Sequence, residues 1–150
     1  MSVSTPYRSE SGMEFINKTY SLNVKIGTTV AKLPIKYKVI YGDDMAKTGL
    51  ETLRLLQTGN GIFVDEHTPP ELFAERIKLF ETAKGYIYNI PTTFRLCVLI
   101  RTETDKPDAA TREKWMRQAQ AISDLCNECI ALIGGIIKYD KKRYKEYRNK

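Results

Sequence analysis

One histidine, one tryptophan and three cysteines are all that 150 residues contain of these types. A single histidine, His67, excludes the di-iron bundle scheme, which draws Glu-x-x-His pairs from two helices. It also leaves any serine without a base for a hydrolase triad, beyond that one residue next to Asp65-Glu66. Three cysteines, few and odd in number, fit a reducing cytosol and not a disulfide framework. No uninterrupted apolar run reaches the roughly 18 residues of a membrane span. The opening Met1-Ser2-Val3-Ser4-Thr5-Pro6 lacks the charged-then-apolar layout of a signal peptide. The expectation is a cytoplasmic protein without a membrane partner. No P-loop or dinucleotide glycine pattern, no alternating strand pattern and no internal repeat is present. With no catalytic set and no cofactor motif, the chain is read as a non-enzyme.

What is present suits one globular domain: 42% apolar and 28% charged residues, in a length able to bury a core without metals or disulfides. The net charge is +6, which favours a polyanionic partner. Residues 1–11, rich in Ser and Thr with Pro6, are read as a flexible arm. Met13, Ile16, Tyr20, Val24, Gly27 and Ala31 then recur at spacings of three and four, the stripe of a first helix running to about Leu33. Pro34 disfavours helical geometry at Leu33. A second helix carries Tyr41, Met45, Thr48, Gly49, Thr52, Leu55, Leu56 and Gly59, and ends near Asn60-Gly61, where a left-handed residue is expected.

After a loop at 61–68, Thr68-Pro69-Pro70-Glu71 opens a third helix. One stripe holds Leu72, Leu79, Ala83, Tyr86 and Ile90, and another, about 100° round, holds Phe73, Ile77, Phe80 and Ile87. One face serves the core and the other a neighbour. Pro91 is expected to kink this helix, which resumes with Phe94, Cys97 and Val98 to about Arg101, a complete break at Pro91 being the alternative. Past Pro107-Asp108, the fourth helix spaces Trp115, Ala119, Ile122, Cys126, Cys129, Ile133 and Ile136 by four and three, a bundle seam. Short connections make the fold all-α, an up-down-up-down antiparallel four-helix bundle over residues 12–140, followed by a basic tail, 141–150.

Cys126-Asn127-Glu128-Cys129 has the spacing of a redox pair or half a zinc site. Both sulfurs fall on the seam deep inside a helix, so they are read as small core residues. Gly134-Gly135 is read as a close helix approach, which makes Gly134→Leu an overpacking substitution.

The charge is unevenly placed. Between Lys138 and Lys150 seven cations face two carboxylates, a net +5, with Tyr139, Tyr144 and Tyr147 interleaved as stacking surfaces. Lys18, Lys25 and Lys32 lie seven apart on one stripe, roughly 130° from the apolar one, and run into Lys36 and Lys38 beside Tyr37. The expectation is a continuous basic track. Candidate nucleic-acid or partner-binding residues are Lys18, Lys25, Lys32, Lys36, Tyr37, Lys38, Lys138, Lys141, Lys142 and Arg143. None is assigned to catalysis or to a metal.

The run Val30-Ala31-Lys32-Leu33-Pro34-Ile35-Lys36-Tyr37-Lys38, the helix from Leu72 to Leu99 and Ile133-Gly134-Gly135-Ile136-Ile137-Lys138 resemble a bacterial four-helix-bundle family. It includes the accessory variability determinant (Avd) proteins of diversity-generating retroelements and the proteins encoded in intervening sequences of 23S ribosomal RNA genes. The resemblance covers about residues 13–140. It implies a homopentameric barrel that binds RNA or DNA through a basic surface, associates with the retroelement reverse transcriptase and supports mutagenic copying of a template RNA (mutagenic retrohoming), without chemistry of its own. The chain departs from the family where lysines replace the hinge arginines, offering point charges in place of planar forks, and where Ile136-Ile137 replaces a frequent tryptophan. An alternative within the family is the intervening-sequence type, a structural or RNA-binding module without a polymerase partner. Outside it stands a small metalloenzyme bundle, which bound metal in the purified protein would reveal.

Overall fold

A computed structural model describes residues 4–149, with side chains from Met13 onward. Those residues form four long helices and no strand: α1 (Ser4–Val30), α3 (Asp43–Asn60), α4 (Pro70–Asp105) and α5 (Ala109–Arg148). Between α1 and α3 lie a single helical turn, α2 (Ile35–Tyr37), and a π-helical turn, Lys38–Gly42. α1 begins inside the segment read as an arm. Pro6 does not prevent this, because a first-turn residue has no intrahelical partner for its N–H. Residues 1–3 of that segment, and Lys150 of the tail, lie outside the described residues.

Contacts along the helices show their directions. Asn60, Gln57, Gly49 and Gly42 of α3 and its lead-in meet Met13, Tyr20, Asn23 and Val30 of α1 in reverse order. Phe73, Arg76 and Arg101 of α4 meet Tyr144, Asp140 and Trp115 of α5 in reverse order too. α5 then closes on α1, where Thr19 meets Cys129. This is the expected antiparallel bundle. α4 and α5, of 36 and 40 residues, run about 54 and 60 Å, while α3, of 18, runs only about 27 Å. The first turns of α4 and the last of α5 therefore extend past the end of α3.

α5 faces inward as its spacing predicts: Trp115, Ile122, Cys126, Cys129 and Ile133 are buried, and Ile137 goes deeper than its neighbour Ile136. On α4, Phe73, Phe80, Ala83, Ile87 and Ile90 form the core face, while Leu72 and Tyr86 remain exposed. α4 continues unbroken through Pro91. α5 is long and apolar enough to cross a membrane by length and composition, once a few polar residues are admitted to the run. The seam residues named above are buried in the bundle, and the rest of that run is half-buried or exposed.

On α1 only the first part of the expected stripe turns inward: Ile16 is fully buried and Met13 packs against the core. Tyr20 and Val24, taken as core, are 50% and 64% exposed, and Gly27 and Ala31 face outward with them. The inward stripe is Phe15, Ile16, Thr19, Leu22, Ile26, Thr29 and Val30. Two threonines are admitted because their hydroxyls donate back along the helix, Thr19 to the Phe15 carbonyl at 2.8 Å and Thr29 to that of Lys25 at 2.7 Å.

Three further expectations change. Gly61 ends α3 in right-handed geometry, and the left-handed cap is Lys106 after α4, with φ 46°. The basic tail is the continuation of α5 to Arg148, its Tyr144 ring 5.2 Å from that of Phe73. The close glycine approaches lie elsewhere than at Gly134-Gly135: a Cβ on Gly59 would stand 2.6 Å from the Phe80 ring. At Gly135 nothing lies within 4 Å, and Gly134 would meet only the Lys84 ammonium at 4.0 Å. A Cβ at Gly134 therefore has room, and the close helix approach expected there is not formed. Gly135→Ala is expected to stabilise the fold by about 0.5–1 kcal/mol, since alanine leaves the unfolded chain less backbone entropy to lose when the helix forms. Urea unfolding followed by circular dichroism checks this; a lower midpoint would contradict it.

Candidate functional site

The hinge at one end of the bundle is held internally. Asp105, in the last turn of α4, accepts a hydrogen bond from the Lys36 ammonium at 3.1 Å and from the Tyr37 hydroxyl at 2.9 Å. The Lys36 hydrogen bond, with that of Tyr37, holds the Asp105 carboxyl below its ordinary range, and the same bond raises Lys36. Tyr37 is buried, and the Arg101 guanidinium lies 3.8 Å from the Trp115 ring centroid and 5.8 Å from that of Tyr37. Two members of the expected track are thus committed to α4. Lys18 faces Glu128 of α5 at 3.4 Å, and the half-buried Lys38 packs its stem near Gly42. Of the five lysines expected to form the track, Lys25 and Lys32 stand exposed without an ion pair among the described residues. Two of the five, Lys18 and Lys36, meet carboxylates distant in sequence once the helices dock, in pairs that remain partly exposed.

The other end differs. Lys138, Lys141, Lys142, Lys145 and Arg148 are all exposed and recur at i, i+3, i+4, i+7 and i+10, so they share the outer face of α5. The span from Lys138 to Arg148 is about 15 Å at the helical rise. Lys141 faces Glu81 at 3.0 Å, but both side chains are about half exposed, so the pair neutralises little. Lys145 and Arg148 therefore belong with the candidates. Arg143 turns inward, its guanidinium donating to Asp140 at 2.8 Å.

Asp140 is the centre of that end. It is 1% exposed and also accepts from Arg76 Nε at 2.7 Å. Arg76 Nη1 donates to the carbonyls of Gly59 and Ile62, tying the 61–69 loop to α4 and α5. The signal for this cluster was in the sequence: Asp140 falls three after Ile137 on the seam, a carboxylate where an apolar residue belongs.

The remaining candidates fall as expected in place. His67 is exposed in the loop, 3.6 Å from Glu66. Cys126 and Cys129 are fully buried, and burial, with Cys129 alongside, pushes the Cys126 thiol up to about 12, while burial raises Cys129 and Cys97 too. The folded Cys126 keeps its proton after the unfolded thiol, at 9.0, has lost it. Its contribution to stability is therefore complete below about pH 9 and is lost as pH rises toward 12. Unfolding free energies between pH 8 and about pH 11 are expected to fall less steeply in Cys126→Ala than in the parent; equal slopes would refute the assignment.

The fold and these sites define an all-helical four-helix bundle with a cationic end. No protein-family model, no curated protein and no solved structure matches the chain.

Proposed function

We propose that this chain is a non-catalytic scaffold that binds nucleic acid through the outer face of the last three turns of α5. In the fuller form implied by its resemblance to Avd proteins, it is the accessory subunit of a diversity-generating retroelement, acting with the reverse transcriptase as a homo-oligomer. One observation carries the binding reading: five cations share the exposed face from Lys138 to Arg148 against one exposed carboxylate in that span, Glu146, while Asp140 is turned into the protein against Arg76 and Arg143. Phosphates meeting such a face release counterions, which makes binding strong at low salt. A solvated helix end would bear cations as well, because they suit the negative pole of the helix dipole. Binding separates the two.

In fluorescence anisotropy with labelled RNA, Lys138→Glu/Lys142→Glu/Lys145→Glu is expected to lose at least about 10-fold in affinity and to flatten the salt slope by about 2–3. Lys25→Glu/Lys32→Glu should change both far less. Equal binding by the triple variant would refute the α5 face as the site. Tyr20, Val24, Leu72 and Tyr86 offer exposed apolar surface for self-association; light scattering showing a monomer would remove the oligomer from the proposal. Co-purification with a reverse transcriptase encoded beside the gene tests the remaining part, and RNA binding without such a partner would favour the intervening-sequence type.

A further inference from the structure

We infer that the cationic face of α5 prefers single-stranded to duplex nucleic acid, with the Tyr139 ring as the platform on which one base stacks. This rests on the nucleic-acid reading given above. Three tyrosines are interleaved with the cations, and the fold separates them. Tyr144 and Tyr147 are half-buried, their rings 5.2 and 6.0 Å from that of Phe73. Tyr139 stays outside, 51% exposed.

Its setting is built for a flat ligand. The Arg143 guanidinium lies over the Tyr139 ring, 4.8 Å from its centroid. Arg143 is itself held by Asp140 at 2.8 Å, and Asp140 by Arg76 at 2.7 Å. One side of the ring is therefore backed by a pinned cation, and a base arriving on the other side would complete a three-layer stack. Lys138 and Lys142, one before and three after Tyr139, are exposed beside it and meet the flanking phosphates. Bases in a duplex are stacked on one another and offer no free face to a side chain, whereas every base of a single strand does. The arrangement discriminates by strandedness while tolerating any sequence, since the contacts are π-faces and phosphates.

The test uses the full chain and three labelled probes of one mixed sequence: single-stranded RNA, single-stranded DNA and the DNA duplex. Tyr139→Ala is expected to weaken both single strands about 5- to 100-fold and to leave the duplex unchanged. The salt slope should stay as in the parent, because no charge is removed. Tyr139→Phe keeps the ring and is expected to bind like the parent. Equal affinity of Tyr139→Ala and parent for single strands would overturn the inference, as would an equal loss on the duplex. If the parent bound all probes with a steep salt slope and only the Tyr139 effect were missing, the nucleic-acid reading would stand alone. If the parent bound none, both would fall. The melting temperature of Tyr139→Ala should fall by only a few degrees, since the side chain is half in solvent and its one cation–π contact, with Arg143, is weak at an exposed site.

Discussion

Asp140→Ala is expected to destabilise the protein by about 3–5 kcal/mol, the range for removing one partner from a buried ion pair. The carboxylate is 1% exposed and holds two guanidinium groups, those of Arg76 and Arg143, whose side chains are only 11% and 22% exposed. Without it both cations keep their low-dielectric surroundings and lose their anion. Arg143 Nε already has no hydrogen-bond partner, so nothing local compensates. The loss also frees Arg76, the residue that fastens the Gly59 and Ile62 carbonyls to α4. In contrast, Lys141→Ala breaks a pair at 3.0 Å that is about half exposed at both ends, and should cost no more than about 1 kcal/mol. Urea unfolding of the two variants beside the parent decides the matter. A melting temperature lower by about 10 °C accompanies the expected loss in Asp140→Ala; a cost as small as that of Lys141→Ala would show that the cluster is solvated.

Phe80→Ala is the second large effect, also about 3–5 kcal/mol. Phe80 is fully buried where three elements converge: its ring meets Phe15 of α1 edge-on at 5.5 Å and 77°, and Arg76 stacks on it at 4.8 Å. Gly59 of α3 leaves room for the ring, since a Cβ there would stand 2.6 Å from it. Truncation leaves a cavity bounded by rigid helices that cannot collapse into it. Gly59→Ala should in turn cost about 1–3 kcal/mol by overpacking, and that cost should shrink in a Phe80→Leu background, where the obstructing ring edge is gone. A double-mutant cycle reads the coupling directly; strictly additive changes would mean that Gly59 and Phe80 do not share the space described.

Much of the secondary structure was legible because its signals are local. Pro34 and the Thr68-Pro69-Pro70-Glu71 start marked the connections around α3, and the spacing of Trp115, Ile122, Cys126, Cys129 and Ile133 marked the inner face of α5. The cationic end was legible too, as a density of charge. Beyond Met13 and Ile16, the inner face of α1 was not. Its buried stripe contains Thr19 and Thr29, which look polar in sequence and are satisfied within the helix, while Tyr20 and Val24 look apolar and stay outside. Asp140 was legible as an anomaly, a carboxylate on a seam, but its partner Arg76 lies 64 positions away.

The hinge shows the same limit. Its lysines and tyrosine were visible as a mixture able to grip an anion, and the anion that the structure places against Lys36 and Tyr37 is Asp105, 69 and 68 positions on. Local periodicity, proline geometry and net charge follow from the order of residues alone, so sequence determined the number of helices, their seam residues on α5 and the surplus of cations. Which face of α1 turns inward, which lysines meet a carboxylate and which of three tyrosines remains exposed depend on neighbours brought from other helices. Burial and ion pairing are properties of that surrounding surface, and only the tertiary structure decides them.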